Sequence, residues 1–181
     1  MSDAAADQLF LGRQPILDRE QRLHAYELLF RSGSRNFAEV TDGVQATATV
    51  IANAFSELGI EAALGSHRGF INVDEAFLFS DMLELLPRHA VVLEILETVP
   101  PTPAVVERCA ALKAAGFTLA LDDVIQLEPE FADLLALVEI VKVDIQPLSR
   151  VQLMQLVMKL KPLGKQLLAE KVDSREQMEQ C

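Results

Sequence analysis

Phe117–Asp144, FTLALDDVIQLEPEFADLLALVEIVKVD, sets the architecture of this chain. It opens on a short apolar run, Phe117–Leu121, that stops at two acids, Asp122 and Asp123. A helical stretch, Glu130–Leu137, follows, and then a second apolar run, Ile140–Val143, which leads into Asp144. Runs apolar on both faces suit a sheet covered on both sides. A helix between two of them makes the right-handed crossover of a parallel sheet. The second half of the pattern is the acid at each point where a strand stops.

The same rhythm extends in both directions. Upstream, Leu9–Leu17 and Leu23–Phe30 flank the turn-like Asp18–Gln21 and predict an opening antiparallel hairpin. Thr41–Leu58 predicts a helix with an apolar stripe through Val44, Ile51 and Phe55, stopped at Gly59. Gly69–Val73 reads as a strand, Glu75–Leu86 as a helix and Ala90–Leu96 as a strand. Thr102 caps a helix over Pro103–Ala115 that Gly116 closes. Downstream come a helix over Pro147–Leu160, a strand over Gln166–Ala169 and a last helix that starts at Ser174.

Seven strands with crossover helices fit either an open doubly wound sheet or a barrel. The strand ends favour the barrel. They carry Glu27, Asn72 with Asp74, Glu94, Asp122 with Asp123, Lys142 with Asp144, and Glu170. Residues from six strand ends converge only where those ends form a ring, as on the active face of a TIM-type (β/α) barrel. Such a barrel has eight strands and typically ~250 residues. The expectation is therefore a single α/β domain over residues 1–181 with an opening hairpin, truncated before its last strand. The unpaired edges this leaves predict either a homodimer across the gap or a fragment of a longer protein.

Composition narrows the function classes. Half the residues are apolar and 24% are charged, which excludes a disordered or fibrous chain. Sixteen Lys and Arg against 27 Asp and Glu give a net charge of −11, so no DNA or RNA partner is expected. No apolar run has the ~18–20 residues of a membrane helix, and Met1–Gln8 lacks the features of a signal peptide. Cys109 and Cys181 make no disulfide framework, which points to a cytoplasmic setting. His24, His67 and His89 are too scattered for a histidine-centred site.

Carboxylates and an asparagine are hard oxygen ligands, suited to Mg²⁺ or Mn²⁺. Two such ions ~3.5–4 Å apart clamp the attacking water and the leaving oxygen of a phosphodiester. Lys142 adds a fixed positive charge toward the charge that develops. Each acid also has a plainer reading. A lone acid after a strand is most often a helix cap or a solvated loop residue. Glu94, inside the apolar run Val91–Leu96, needs a partner in any case, and a structural ion pair with Lys142 serves as well as a metal.

These residues resemble the EAL family, the bacterial cyclic di-GMP phosphodiesterases. The family's opening YQPI is matched by Gln14-Pro15-Ile16, and its EALLR by Glu27-Leu28-Leu29-Phe30-Arg31, without the namesake alanine. Its strand-three asparagine falls on Asn72, its ExxE on Glu94 and Glu97, and its DDFG begins at Asp122-Asp123. Its KxD becomes Lys142-Val143-Asp144, and its AEGVE becomes Ala169-Glu170-Lys171-Val172-Asp173. The order holds over nearly the whole chain. More narrowly, the segments resemble the subgroup in which a modified EAL domain precedes an HDOD domain.

The resemblance implies roles. Glu27, Asn72, Glu94 and Asp122 hold a first Mg²⁺ or Mn²⁺, and Asp122 and Asp123 share a second. Lys142 positions the water, and Glu170 acts as base or ligand. Gln14, Arg31 and Asp144 contact the dinucleotide. It implies losses too. The family's glycine-rich DFGTG loop is replaced by Val124–Pro129, whose branched Val124 and Ile125 resist the positive-φ turns that glycine permits. Glu97 loses its usual loop partner, and the second acid of AEGVE is the shorter Asp173. The expectation is a regulatory or sensing module with little or no hydrolysis, acting with an HDOD domain or another protein. The alternative is a working metal-dependent phosphodiesterase that linearises cyclic di-GMP.

Overall fold

The computed structural model describes residues 9–32 and 64–181. The helix expected over Thr41–Leu58 lies outside the described residues. Seven strands follow one another in chain order in one mixed sheet. They are β1 (Leu9–Leu17), β2 (Leu23–Ser32), β3 (Arg68–Val73), β4 (Val91–Ile95), β5 (Thr118–Leu121), β6 (Ile140–Asp144) and β7 (Gln166–Glu170). The described helices are α1 (Glu75–Leu78), α2 (Pro103–Ala114), α3 (Ala132–Leu137), α4 (Arg150–Leu160) and α5 (Arg175–Gln180), with short 3₁₀ turns between some of them. The chain divides into two compact units, residues 1–71 with 76–92, and residues 72–75 with 93–181.

In the first unit the expected hairpin is present: β1 and β2 pair antiparallel, with Gln14 opposite Glu27 and Phe10 opposite Arg31. Asp18 makes the turn. Its Oδ1 accepts the backbone N–H groups of Glu20 and Arg22 at 3.0 and 2.9 Å, while Gln21 takes the left-handed conformation at φ 62°. β2 then runs parallel to β3, from Ala25 opposite Arg68 to Leu28 opposite Ile71. Gly69 permits that approach, because a Cβ there would lie 2.7 Å from Cδ1 of buried Leu28.

A single helix over Glu75–Leu86 is not formed. Helix α1 ends at Leu78, and a 3₁₀ turn over Asp81–Leu85 begins at Ser80. The Ser80 hydroxyl accepts the backbone N–H of Met82 at 3.2 Å, so the side chain restarts the helix there rather than continuing it.

The second unit is built on the β5–β6–β7 ladder. These strands run parallel, with Ala120 opposite Ile140 and Asp144 opposite Glu170. Every residue of Leu119–Leu121 and Ile140–Val143 is buried, as the two-sided apolar pattern predicted. β7 departs from that pattern, since none of its side chains is fully buried. Helix α2 starts as expected: Thr102 Oγ1 accepts the N–H of Val105 at 3.3 Å, Pro103 occupies the first turn, and Gly116 leaves it at φ 96°. Helix α4 begins at Arg150 instead of Pro147, because Ser149 and Gln152 form a reciprocal capping box. The stretch expected as a helix from Glu130 starts as a 3₁₀ turn over Pro129–Phe131. Ser174 caps the last helix in the same reciprocal way with Gln177.

Candidate functional site

The acids at the strand ends of the second unit meet around two lysines. Backbone bonds first bring those ends together. The Asp122 N–H donates to the Ile95 carbonyl at 3.0 Å, the Val124 N–H to Lys142 at 2.9 Å, and the Ile145 N–H to Glu170 at 3.4 Å. Glu94, Asp122, Lys142, Asp144 and Glu170 therefore stand at neighbouring places along the ends of β4 to β7, where the strand pattern had put them.

Lys142 is the centre. Its Nζ lies 2.6 Å from Glu94 Oε1, 2.7 Å from Asp122 Oδ1 and 2.6 Å from Glu170 Oε1. The Lys142 and Glu94 side chains are 1% and 0% exposed, so neither charge has access to bulk water. The requirement that Glu94 find a partner is met by this ion pair. Asp122 and Glu170 are less enclosed, at 12% and 14%.

A second ammonium sits beside the first. Lys171 Nζ lies 2.9 Å from Asp123 Oδ2 and 2.6 Å from Asp144 Oδ2. Both ends of the Lys171–Asp123 pair are strained: Asp123 has φ 46° and Lys171 has φ 56°, in the left-handed region. The other Asp144 oxygen accepts the backbone N–H of Gln146 at 2.9 Å, and the Gln146 side chain donates to the Asp173 carboxylate. Sequence reasoning missed Lys171. The available signal was a long cationic side chain one residue past a strand-end acid, in a place the family's motif gives to glycine.

The residues fit a divalent cation on three counts. One carboxylate oxygen each from Asp122, Asp123 and Glu170 lie within 4.8 Å of one another. Glu170 Oε2 is buried and makes no hydrogen bond. Among the described residues, the five carboxylates Glu94, Asp122, Asp123, Asp144 and Glu170 outnumber the two ammonium groups that pair with them. Burial pushes the Glu170 carboxyl up to about 7, against the pull of Lys142 and with help from the negative charge of Asp122. A divalent ion held here would offset the surplus of carboxylates and favour the ionised form of Glu170.

The remaining predicted site residues stand as follows. Asn72, at the end of β3, is exposed between buried Ile71 and Val73. Gln14 is exposed and Glu27 half-buried on the β1–β2 hairpin, and Arg31 lies further along β2. Glu97 is exposed past the end of β4. In the loop after β5, Val124 and Leu127 are half-buried, and the Gln126 amide donates to Glu128 at 2.5 Å.

No protein-family model matches the chain. Among curated proteins it is 36% identical over 178 residues to the uncharacterized protein YuxH of Bacillus subtilis, covering 96% of this chain and 44% of that one. It is 35% identical over 175 residues to the cyclic di-GMP phosphodiesterase CdgJ of Vibrio cholerae, covering 95% and 40%. The chain thus spans less than half the length of both relatives. Among solved structures it superimposes on the Bacillus subtilis YkuI protein, which has an EAL domain and was solved with its substrate cyclic di-GMP and calcium. The TM-score is 0.74 at 22% identity, over 95% of this chain and 50% of that one.

Proposed function

We propose, from the premise that this chain belongs to the EAL family, that it captures cyclic di-GMP at a divalent-cation site and turns it over slowly or not at all. The observation that carries this reading is the distribution of positive charge on the acidic face. Asp122, Asp123 and Glu170 keep three carboxylate oxygens close enough together to serve one cation. The chain's own ammonium groups already pair with all five carboxylates.

Asp122, Asp123 and Glu170 are the residues that hold the ion. When bound, the ion supplies charge neutralisation at a phosphodiester and a more acidic water. Lys142 keeps Asp122 and Glu170 in place and carries fixed positive charge at the site. The resemblance to the family assigns Gln14, Arg31 and Asp144 to the dinucleotide, and Glu27, Asn72 and Glu94 to the metal. The branched loop Val124–Glu128 lacks the glycines that let such a segment fold closely over bound ions. Loss of positioning by about an ångström costs ~10²-fold in rate.

Glu170 favours a second reading, the working phosphodiesterase. A carboxyl held near 7 with a partnerless oxygen is poised to exchange a proton at neutral pH. Incubation of the chain with cyclic di-GMP and Mn²⁺, followed by anion-exchange chromatography, separates the two. The proposal expects intact nucleotide retained on the protein. Linear dinucleotide at many turnovers, abolished by Asp122→Asn, establishes the second reading instead.

A further inference from the structure

We propose that Lys171 is a built-in competitor for the divalent ion: its ammonium holds Asp123, one of the three acids assigned to that ion, and must let go before the ion binds fully. The inference rests on the metal-site reading above and deepens it, by assigning the control of ion affinity to one side chain.

The oxygens around Lys171 carry it. Asp122, Asp123 and Glu170 each bring a carboxylate oxygen to within 4.8 Å of the others. Lys171 Nζ donates to Asp123 Oδ2 at 2.9 Å and to Asp144 Oδ2 at 2.6 Å. Asp144 lies outside the set of three, and its Oδ1 accepts the Gln146 N–H at 2.9 Å. Asp123 is thus the acid that both this ammonium and the ion claim. An ion on either oxygen of that carboxylate stands beside the ammonium on Oδ2, where like charges repel and water screens them little. The ammonium has a place to withdraw to, because its shorter contact, with Asp144, does not depend on Asp123.

Lys142 does not play this part. It also pairs with two of the three acids, Asp122 and Glu170, but its side chain is 1% exposed and Glu94 closes it in. It stays in place, and Glu170 still presents Oε2, an oxygen without a hydrogen bond. The Lys171 side chain is 43% exposed, so its ammonium leaves Asp123 for water without stranding a buried charge. The backbone marks the Lys171–Asp123 pair as part of the fold. Lys171 at φ 56° and Asp123 at φ 46° both adopt the left-handed conformation, which disfavours a lysine and suits glycine or asparagine. Strain at both ends of one contact separates it from a surface lysine that finds the nearest acid.

The test is a Mn²⁺ titration of the 181-residue chain, with free Mn²⁺ followed by its electron paramagnetic resonance signal. It is run in about 0.1 M and in about 1 M NaCl, where screening sets in beyond roughly 10 Å and roughly 3 Å. Lys171→Gly and Lys171→Asn remove the charge in residues that tolerate positive φ, and Lys171→Arg keeps it. We expect both uncharged variants to bind Mn²⁺ about tenfold more tightly than the unsubstituted chain, and Lys171→Arg to match that chain. The gain persists at the higher salt, because competition for one carboxylate acts at contact distance. A gain that disappears there makes Lys171 a distant charge only and overturns the inference. So does unchanged or weaker binding in either uncharged variant, or an equal gain in Lys171→Arg. Each of these outcomes leaves the metal site standing. No Mn²⁺ bound by any of the four proteins, with circular dichroism showing them folded, overturns both the metal site and this inference.

Discussion

Lys142 and Glu170 show how single charges set the behaviour of the acidic face. Lys142 is buried among three carboxylates, so Lys142→Met removes the ammonium that Glu94, Asp122 and Glu170 share. We expect a loss of about 3–5 kcal/mol in urea unfolding without metal, the range for breaking a buried ion pair. Added Mn²⁺ restores part of that loss by binding only the folded state. Glu170 supplies the pH dependence. Its carboxyl is raised from 4.5 to about 7 on folding, so the folded chain binds more protons than the unfolded one between those values. Stability from this group is full below about 4.5 and falls as pH rises to about 7. A thermal-unfolding series in chelator shows that decline, and Glu170→Gln flattens it. At the proposed metal site, Mn²⁺ affinity is expected to run oppositely and rise over the same interval, because an ion bound by Glu170 would displace the proton. At this scale the sequence was informative where burial forced a pairing, as for Glu94 inside an apolar strand. It was silent at Lys171, because a lysine after a strand reads as solvated and its positive φ is a property of the folded backbone.

Among the secondary-structure elements, caps decided where the sequence could be read closely. Helix α2 was legible at both ends, since Thr102, Pro103 and Gly116 each have one favoured role. Thr102→Ala is expected to cost about 1 kcal/mol in chemical unfolding, the usual worth of an N-cap. An unchanged midpoint would mean that the Thr102 bond to Val105, at 3.3 Å, contributes nothing. Glu75–Leu86 was misread because the apolar spacing continues across Ser80, whereas the local bond from its hydroxyl to the Met82 N–H breaks the helix. The start of α4 shifted for a related reason. Pro147 is a good first helical residue, but the Ser149–Gln152 capping box offers two backbone bonds and takes precedence. β7 shows the limit of apolar patterning: its run Leu167–Ala169 matches the buried strands in composition and is only half-buried.

For the molecule as a whole, the strand order and the position of chemistry at strand ends were readable because parallel strands place their C-terminal residues along one edge of a sheet. Six of the ten predicted site residues, Glu94, Asp122, Asp123, Lys142, Asp144 and Glu170, come together in the second unit. Composition alone pointed away from polyanions, with a net charge of −11. On the proposed function, a doubly anionic dinucleotide would depend on a bound cation to approach this face. That dependence is the central claim, and calorimetry of the chain with cyclic di-GMP, in Ca²⁺ and again in chelator, measures it directly. Saturable binding in Ca²⁺ that vanishes in chelator and in Asp122→Asn is the predicted result. A flat titration in Ca²⁺ with the chain folded, or equal binding in chelator, contradicts it.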